Sequence, residues 1–128
     1  MLPAADAAFL AERGFEFEIS VESGMVCVVI KEWPLPPGYT APNANLLIRL
    51  SPTYPDTCPD MWWFSPNVVR ADGAAIPATE SMEPYLQRTW QRWSRHFAAG
   101  QWLVGTDGLE SYLALVAADL RDHSGVAA

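Results

Sequence analysis

The sequence predicts an α+β fold in which an antiparallel sheet packs against helices, and three features lead to this prediction. Apolar and polar residues alternate over residues 15–22, which is the period of a strand with one buried face. After a Ser-Gly turn, residues 25–33 form an almost continuous apolar run. Residues 106–122 repeat apolar side chains at the spacing of an amphipathic helix. Strands bounded by helices at both ends of the chain favour an α+β layer arrangement.

The first half of the chain divides into a helix and four strands. Residues 3–14 predict a short helix, which Gly14 ends in the manner of a C-cap glycine. Residues 15–22 and 25–33 predict an antiparallel hairpin. A Pro-rich loop leads to a third strand at 44–51, and a rigid turn leads to a fourth at 60–64. We therefore expect a four-stranded antiparallel meander packed on the N-terminal helix.

The second half predicts irregular chain and then helices. Residues 65–85 show no sustained period, so we expect a long irregular segment of the kind that is functional or mobile. Residues 86–97 predict a helix or a tight aromatic turn, because Leu86, Trp90, Trp93 and Phe97 recur at helical spacing. The final helix places five apolar residues on one face, and Asp107 with Glu110 gives it a start like a capping box. These five are Leu109, Tyr112, Leu113, Val116 and Leu120.

Composition narrows the classes of function. The 128 residues and 14.1 kDa indicate one domain over residues 1–128, with a frayed tail after about residue 122. A net charge of -7 argues against a nucleic-acid-binding surface. The sequence shows neither a run long enough to span a membrane nor a signal peptide, so we expect a cytoplasmic protein without a membrane partner. The two cysteines, far apart in sequence, favour free thiols in a reducing compartment.

The turn between the third and fourth strands carries a resemblance to a known family. Tyr54, Pro55 and Pro59 form a rigid structural turn, and an aromatic strand follows it. The tripeptide Ser-Pro-Asn at residues 65–67 comes directly after that strand. Further on, Trp102 precedes the last helix. In this order, these features resemble the core of ubiquitin-conjugating (E2) domains, over about residues 5–122. The chain is most similar to the bacterial group called prokaryotic E2 family E, and the resemblance implies a UBC-like fold.

The resemblance implies partners, but it also exposes a departure from the family chemistry. Members of this group are associated with ubiquitin-like proteins, E1-like activating enzymes and JAB-type peptidases. An active E2 needs a cysteine shortly after the tripeptide, because its thiolate takes the ubiquitin-like C-terminus as a thioester. In this sequence the position that aligns with that cysteine is near Ile76 and Pro77, and no cysteine follows Asn67. The tripeptide of E2 domains begins with a histidine, which Ser65 replaces here. The resemblance therefore implies an E2-like component that binds or scaffolds a ubiquitin-like or E1-like partner.

Three residues are weak candidates for a catalytic role. Asn67 keeps an amide that could polarise an oxyanion, although without a thioester it has nothing to stabilise. Cys58 could replace the missing nucleophile, but nearby Asp56 and Asp60 would raise its pKa. A structural role, as a small and partly buried residue of the turn, is therefore favoured for Cys58. His96 stands beside Arg92 and Arg95, which favour a neutral imidazole, and it is either a general base or a hydrogen-bonded support. The histidines and cysteines share no metal-ligand spacing, and we expect no cofactor.

The segment from Arg88 to His96 is the expected partner surface. It interleaves arginines with tryptophans, the two residue types that most often anchor interfaces, and its members are Arg88, Trp90, Arg92, Trp93, Arg95 and His96. Trp90 is expected on the buried side, with Arg92 and Arg95 projecting outward. Three alternatives remain open: an ordinary half-buried helix in this segment, an active transferase that uses Cys58 or His96, and an unrelated α+β ligand-binding protein with residues 65–85 as a lid.

Overall fold

The computed structural model describes residues 2–97 and 100–126, which contain two helices and six strands. In chain order these are α1 (Ala4–Glu12), β1 (Phe17–Glu22), β2 (Met25–Pro34), β3 (Asn43–Leu50), β4 (Trp62–Ser65), β5 (Met82–Tyr85), β6 (Arg88–Trp93) and α2 (Leu109–Asp122). The mixed α+β class is therefore confirmed, together with the two terminal helices and the first four strands. Gly14 follows α1 with a φ of 75°, a left-handed conformation that costs glycine little.

The helix predicted over residues 86–97 is wrong, because this segment contains strand β6. Two residues three apart lie on opposite faces of a strand, and here each face has its own apolar cluster. Trp90 packs into one cluster and Trp93 into the other, so both are buried without helical geometry. Leu86 lies in the turn before β6, and residues 82–85 of the predicted irregular segment form β5. In the described ranges, α2 is the one helix that follows the sheet.

The six strands form one antiparallel sheet in the order β1-β2-β3-β4-β6-β5. The sheet is thus larger than the predicted four-stranded meander, since the β5–β6 hairpin extends it beyond β4. Although β1 and β5 are the two edge strands, the backbone N–H of Leu86 donates to a carboxylate oxygen of Glu22 in β1 at 3.0 Å. The sheet therefore curls until the tip of the hairpin approaches the opposite edge.

The main core lies between α1, α2 and one face of the sheet. The buried face of α2 is the predicted one, formed by Leu109, Tyr112, Leu113, Val116 and Leu120. The start of α2 differs from the prediction. The N–H of Gly108 donates to the hydroxyl of Ser111 at 3.1 Å, while the carboxylate of Asp107 accepts from the N–H of Leu103 at 2.7 Å. The cap therefore uses residues 108 and 111 instead of 107 and 110.

The opposite face of the sheet, which we call the concave face, carries a second apolar cluster. Its buried members are Cys27, Val29, Leu47, Trp63 and Trp90. Met61, Tyr85 and Leu86 pack against them, so the hairpin covers part of this cluster. Trp62 and Trp63 lie on opposite faces as the strand period predicts, and both are buried because each face has a core.

Candidate functional site

The turn between β3 and β4 is tied to both helices through Asp6 of α1. The hydroxyl of Tyr54 donates to Oδ2 of Asp6 at 2.7 Å, and the N–H of Leu109 donates to Oδ1 at 3.1 Å. Burial, and then the bond to Asp6, raises the pKa of Tyr54. The indole N–H of Trp102 donates to the carbonyl of Pro55 at 2.8 Å. The turn is therefore connected to α1, to the start of α2 and to the segment before α2.

Two further features define the chain on either side of β4. Pro59 is buried, and the hydroxyl of Tyr112 in α2 donates to the carbonyl of Met61 at 2.7 Å. The peptide bonds Tyr54–Pro55 and Ser65–Pro66 are both cis. Helix α2 thus holds the start of the aromatic strand in place.

Neither cysteine is placed as a reactive thiol. Cys27 is 0% exposed in the concave-face cluster. Cys58 is half-buried, and its Sγ donates to the carbonyl of Pro59 at 3.0 Å. Burial, followed by the charges of Asp60 and Asp107, raises the pKa of Cys58 to about 11. Because the thiolate is the nucleophilic form, this environment disfavours the chemistry of a conjugating enzyme at Cys58.

The loop after β4, where the family chemistry would lie, is held by buried polar contacts. The side chain of Gln91 accepts from the N–H of Val68 at 2.8 Å and donates to its carbonyl at 3.2 Å. Asn67 is exposed at the start of this loop, whereas Ile76, at the position expected for a transfer cysteine, is buried in the main core. That position therefore contributes a packed aliphatic side chain.

The predicted partner segment distributes its side chains over different environments. Trp90 and Trp93 are both 0% exposed, so in this structure neither indole presents surface to a partner. Arg88 lies over the ring of Trp90 at 4.5 Å, and Arg92 pairs with Glu83 at 3.1 Å. The expectation that Arg95 projects outward is wrong, because its side chain is 15% exposed and pairs with Asp119 of α2 at 2.9 Å.

His96, the last residue of that segment, has two side-chain partners. Its Nδ1 contacts a carboxylate oxygen of Asp60, and its Nε2 lies 3.5 Å from the hydroxyl of Ser94. Asp60 is 36 residues away in sequence. From the sequence, Asp60 was expected only as a neighbour that raises the pKa of Cys58, and Ser94 had no predicted role. Since no spacing rule links positions 60 and 96, only the fold could reveal this cluster.

The concave face collects basic side chains on an acidic protein. Lys31, Arg49, Arg88 and Arg92 are half of the eight basic residues, and all four line grooves on this face. One groove of about 790 Å³ lies beside the hairpin tip and includes Lys31 and Arg88. A second of about 350 Å³ includes Arg49 and Arg92, and the Arg49 guanidinium lies 4.1 Å from the centre of the Tyr85 ring. The same grooves are also lined by the carboxylates of Glu18, Asp60 and Glu83, so the cations and anions of this face are interspersed.

Metal sites and membrane-spanning helices are two further features that residues 2–97 and 100–126 could contain. No group of three or more His, Cys, Asp or Glu side chains there is arranged to hold a metal ion. None of the helices in these ranges has the length and apolar character required to cross a membrane.

Comparison with known proteins identifies the family. The helices, the sheet and the turn anchored by Tyr54 define a mixed α+β protein. A family model described as prokaryotic E2 family E matches residues 2–123, and the chain belongs to that family. Neither the curated proteins nor the solved structures gave a match. The resemblance noted in the sequence is thus confirmed, and the alternative of an unrelated ligand-binding protein is set aside.

Proposed function

We propose that this protein is an E2-like component of a bacterial ubiquitin-like protein modification system that acts by binding or scaffolding, without a thioester intermediate. The state of its two thiols carries the proposal. Cys27 is buried in the sheet, and the pKa of Cys58 is raised to about 11. Membership of prokaryotic E2 family E supplies the pathway, and a ubiquitin-like protein or an E1-like activating enzyme is the expected partner.

In this proposal the protein is one domain with a UBC-like core. Strands β1 to β4 are neighbours in chain order, with α1 before them and α2 after the sheet. The β5–β6 hairpin is an addition to that core, because it pairs outside β4 and folds over the concave face. The loop from Asn67 to Ile76 would then occupy the place of an E2 transfer site, with an aliphatic side chain in place of the thiol.

The concave face is the surface that best fits such a partner. A protein with a net charge of -7 repels acidic partners over most of its surface, and this face supplies four cations to a partner, although Lys31 and Arg92 are paired with carboxylates of the protein itself. Arg88 and Arg92 of the predicted segment lie there together with Arg49 and Lys31. The stacking of Arg88 on Trp90 and of Arg49 on Tyr85 presents flat, partly apolar cations, which suit a protein interface. Trp90 supports Arg88 from beneath, whereas Trp93 packs into the main core on the other face of the sheet.

The chemical part of the proposal is tested with an activated ubiquitin-like protein. Incubated with a charged E1-like enzyme, the protein should form no adduct that a thiol reductant cleaves. The Cys58→Ser variant is the matched control and should behave as the wild type does. A reducible adduct that forms with the wild type and not with Cys58→Ser would contradict the scaffold proposal and would show an active transferase.

The binding part is tested with charge variants. The double variant Arg88→Ala/Arg92→Ala should weaken partner binding by about 2 kcal/mol or more if either arginine is a hot spot. Arg121→Ala, in the last turn of α2, removes one positive charge from another surface and should leave affinity nearly unchanged. Circular dichroism and the melting temperature verify that each variant is folded. If the double variant binds the ubiquitin-like protein and the E1-like enzyme as wild type does, the partner surface lies elsewhere.

A further inference from the structure

The cluster of Ser94, His96 and Asp60 has the order of contacts found in nucleophilic catalysis. A carboxylate accepts hydrogen bonds and donates none, so the contact with Asp60 places the imidazole proton on Nδ1 of His96. The other ring nitrogen, Nε2, then carries its lone pair, and it lies 3.5 Å from Oγ of Ser94. A hydroxyl, a base within reach and a group that orients the base form the general pattern of an activated nucleophile, and in unliganded proteins the first contact is often long.

The backbone around the cluster is fixed on both sides. The N–H of Ser94 donates to the carbonyl of Ala78 at 3.0 Å, and the carbonyl of Arg95 accepts from the N–H of Met61 at 3.0 Å. Between them, the Arg95 side chain is held by Asp119 at 2.9 Å and by the carbonyl of Pro77 at 2.8 Å. These contacts hold the backbone of Ser94 and Arg95 and the side chain of Arg95, so the chain that carries Ser94 and His96 is fixed there.

Asp60 is the member of the cluster that borders a groove, and Ser94 and His96 are not among the residues that line it. Asp60 lines the groove of about 350 Å³, next to Cys58 and Met61. Arg92, two residues before Ser94, lines the same groove, where its guanidinium is paired with Glu83 at 3.1 Å.

We infer that Ser94 is an acyl-accepting nucleophile, with His96 as its general base and Asp60 as a positioning residue, for substrates that are activated acyl groups such as thioesters and esters. In the first step, His96 Nε2 takes the proton of the Ser94 hydroxyl while Oγ bonds to the carbonyl carbon. The thiolate or alkoxide then leaves with that proton from His96, and an oxyester remains on Ser94. Water hydrolyses the oxyester in the reverse sequence and releases the carboxylic acid. This activity goes beyond the proposed binding role and does not depend on it.

The exposure of the cluster sets the expected strength of activation. The side chains of His96 and Asp60 are 55% and 62% exposed, so water screens the interaction between them. We therefore expect a serine that reacts faster than an ordinary surface serine but more slowly than one in a water-excluded active site.

A fluorophosphonate probe tests this inference without any partner protein. Attack by Ser94 forms a phosphorus–oxygen bond and expels fluoride, while His96 takes the hydroxyl proton. The wild type should become labelled on Ser94, as located by peptide mass spectrometry, and labelling should disappear in urea. His96→Ala should lower the labelling rate by about 100-fold, the usual size of a general-base contribution. Ser20→Ala, which removes an exposed serine of β1, should leave the rate unchanged.

The positioning role of Asp60 has its own readout. Asp60→Asn should lower the labelling rate less than His96→Ala does, and Asp60→Glu should restore part of it, because it retains a carboxylate acceptor. Absence of labelling in the folded wild type, or a rate that His96→Ala does not change, would overturn the inference. Because no activating enzyme or ubiquitin-like protein takes part, either result leaves the proposed binding function to be judged separately.

Discussion

The hydroxyl of Tyr54 donates a hydrogen bond to the carboxylate of Asp6, across 48 residues of sequence. Asp6 is 7% exposed, and its second oxygen accepts the N–H of Leu109 at the start of α2. A carboxylate at the first turn of a helix also interacts favourably with the helix dipole. One nearly buried side chain therefore links α1, the turn before β4 and the N-terminus of α2.

Removing this link should destabilise the protein in two graded steps. Tyr54→Phe deletes one hydrogen bond to a charged group and should cost about 1.5 kcal/mol, whereas Asp6→Ala deletes two and should cost about 3 kcal/mol. Urea denaturation followed by tryptophan fluorescence measures both values. Asp56→Ala, an exposed carboxylate in the same turn, should stay within about 0.5 kcal/mol of wild type. Equal and negligible effects at positions 6 and 54 would contradict the link.

The second apolar cluster should contribute as much stability per residue as the main core. Trp90 is 0% exposed, so Trp90→Ala should lower the free energy of unfolding by about 3–5 kcal/mol. Trp90→Phe should lower it less, since an aromatic ring remains. Leu103→Ala, at a side chain 55% exposed, is the control and should change stability by about 0.5 kcal/mol or less. A small effect at Trp90 would mean that the concave face is not a packed core.

The sequence predicts those helices and strands in which apolar residues recur at a single spacing because only one face is buried. The alternation in residues 15–22 predicts strand β1, which forms at Phe17–Glu22, although Val21 of its expected buried face is 64% exposed. The stripe from Leu109 to Leu120 forms the buried face of α2 as predicted. In β6, residues on both faces are buried, which removes the alternation and leaves an apparent helical spacing between Trp90 and Trp93. A strand between two cores therefore cannot be distinguished from a helix by periodicity.

Cys58 should react slowly with alkylating agents at neutral pH. With a pKa raised to about 11, its thiolate is scarce, so iodoacetamide should modify folded protein roughly ten- to a hundredfold more slowly than the unfolded chain. The rate should rise with pH, because deprotonation limits it. In Cys58→Ser, Cys27 should remain unmodified until the protein unfolds. Rapid modification of the folded wild type at neutral pH would show a reactive thiol.

The four tyrosines should make the protein less stable at high pH. Burial is the main cause that raises the pKa of each, to about 12 for Tyr39, and Tyr54, Tyr85 and Tyr112 also shift upward. The unfolded chain loses these protons first, near pH 10, so the folded state is favoured fully below that pH and progressively less as pH rises above it. Phenolate absorbance should appear at higher pH in folded protein than in urea. Coincident titration curves would contradict the predicted loss.

The candidate site was less predictable than the fold because its contacts join distant parts of the chain. The sequence shows that no cysteine follows Asn67, and it indicates a raised pKa for Cys58 from nearby acidic residues. The pairing of Asp60 with His96, and the presence of Arg49 on the same face as Arg92, depend on how β3, β4 and β6 are aligned. For the same reason, the predicted partner segment from Arg88 to His96 has side chains on both faces of the sheet, with Trp90 in one apolar cluster and Trp93 in the other.

The contact between Glu22 and Leu86 also bears on self-association. The edge strands of an open sheet present unpaired backbone groups, which can pair with another copy of the chain. Here the hairpin tip approaches the β1 edge, where Val21 is 64% exposed, and it also covers part of the apolar concave face. Glu22→Ala would remove this hydrogen bond and leave the tip held by the packing of Tyr85 and Leu86, so we expect only a modest rise in self-association, which light scattering would measure. The same curl that gathers the basic side chains thus joins the two ends of the sheet through one side-chain hydrogen bond.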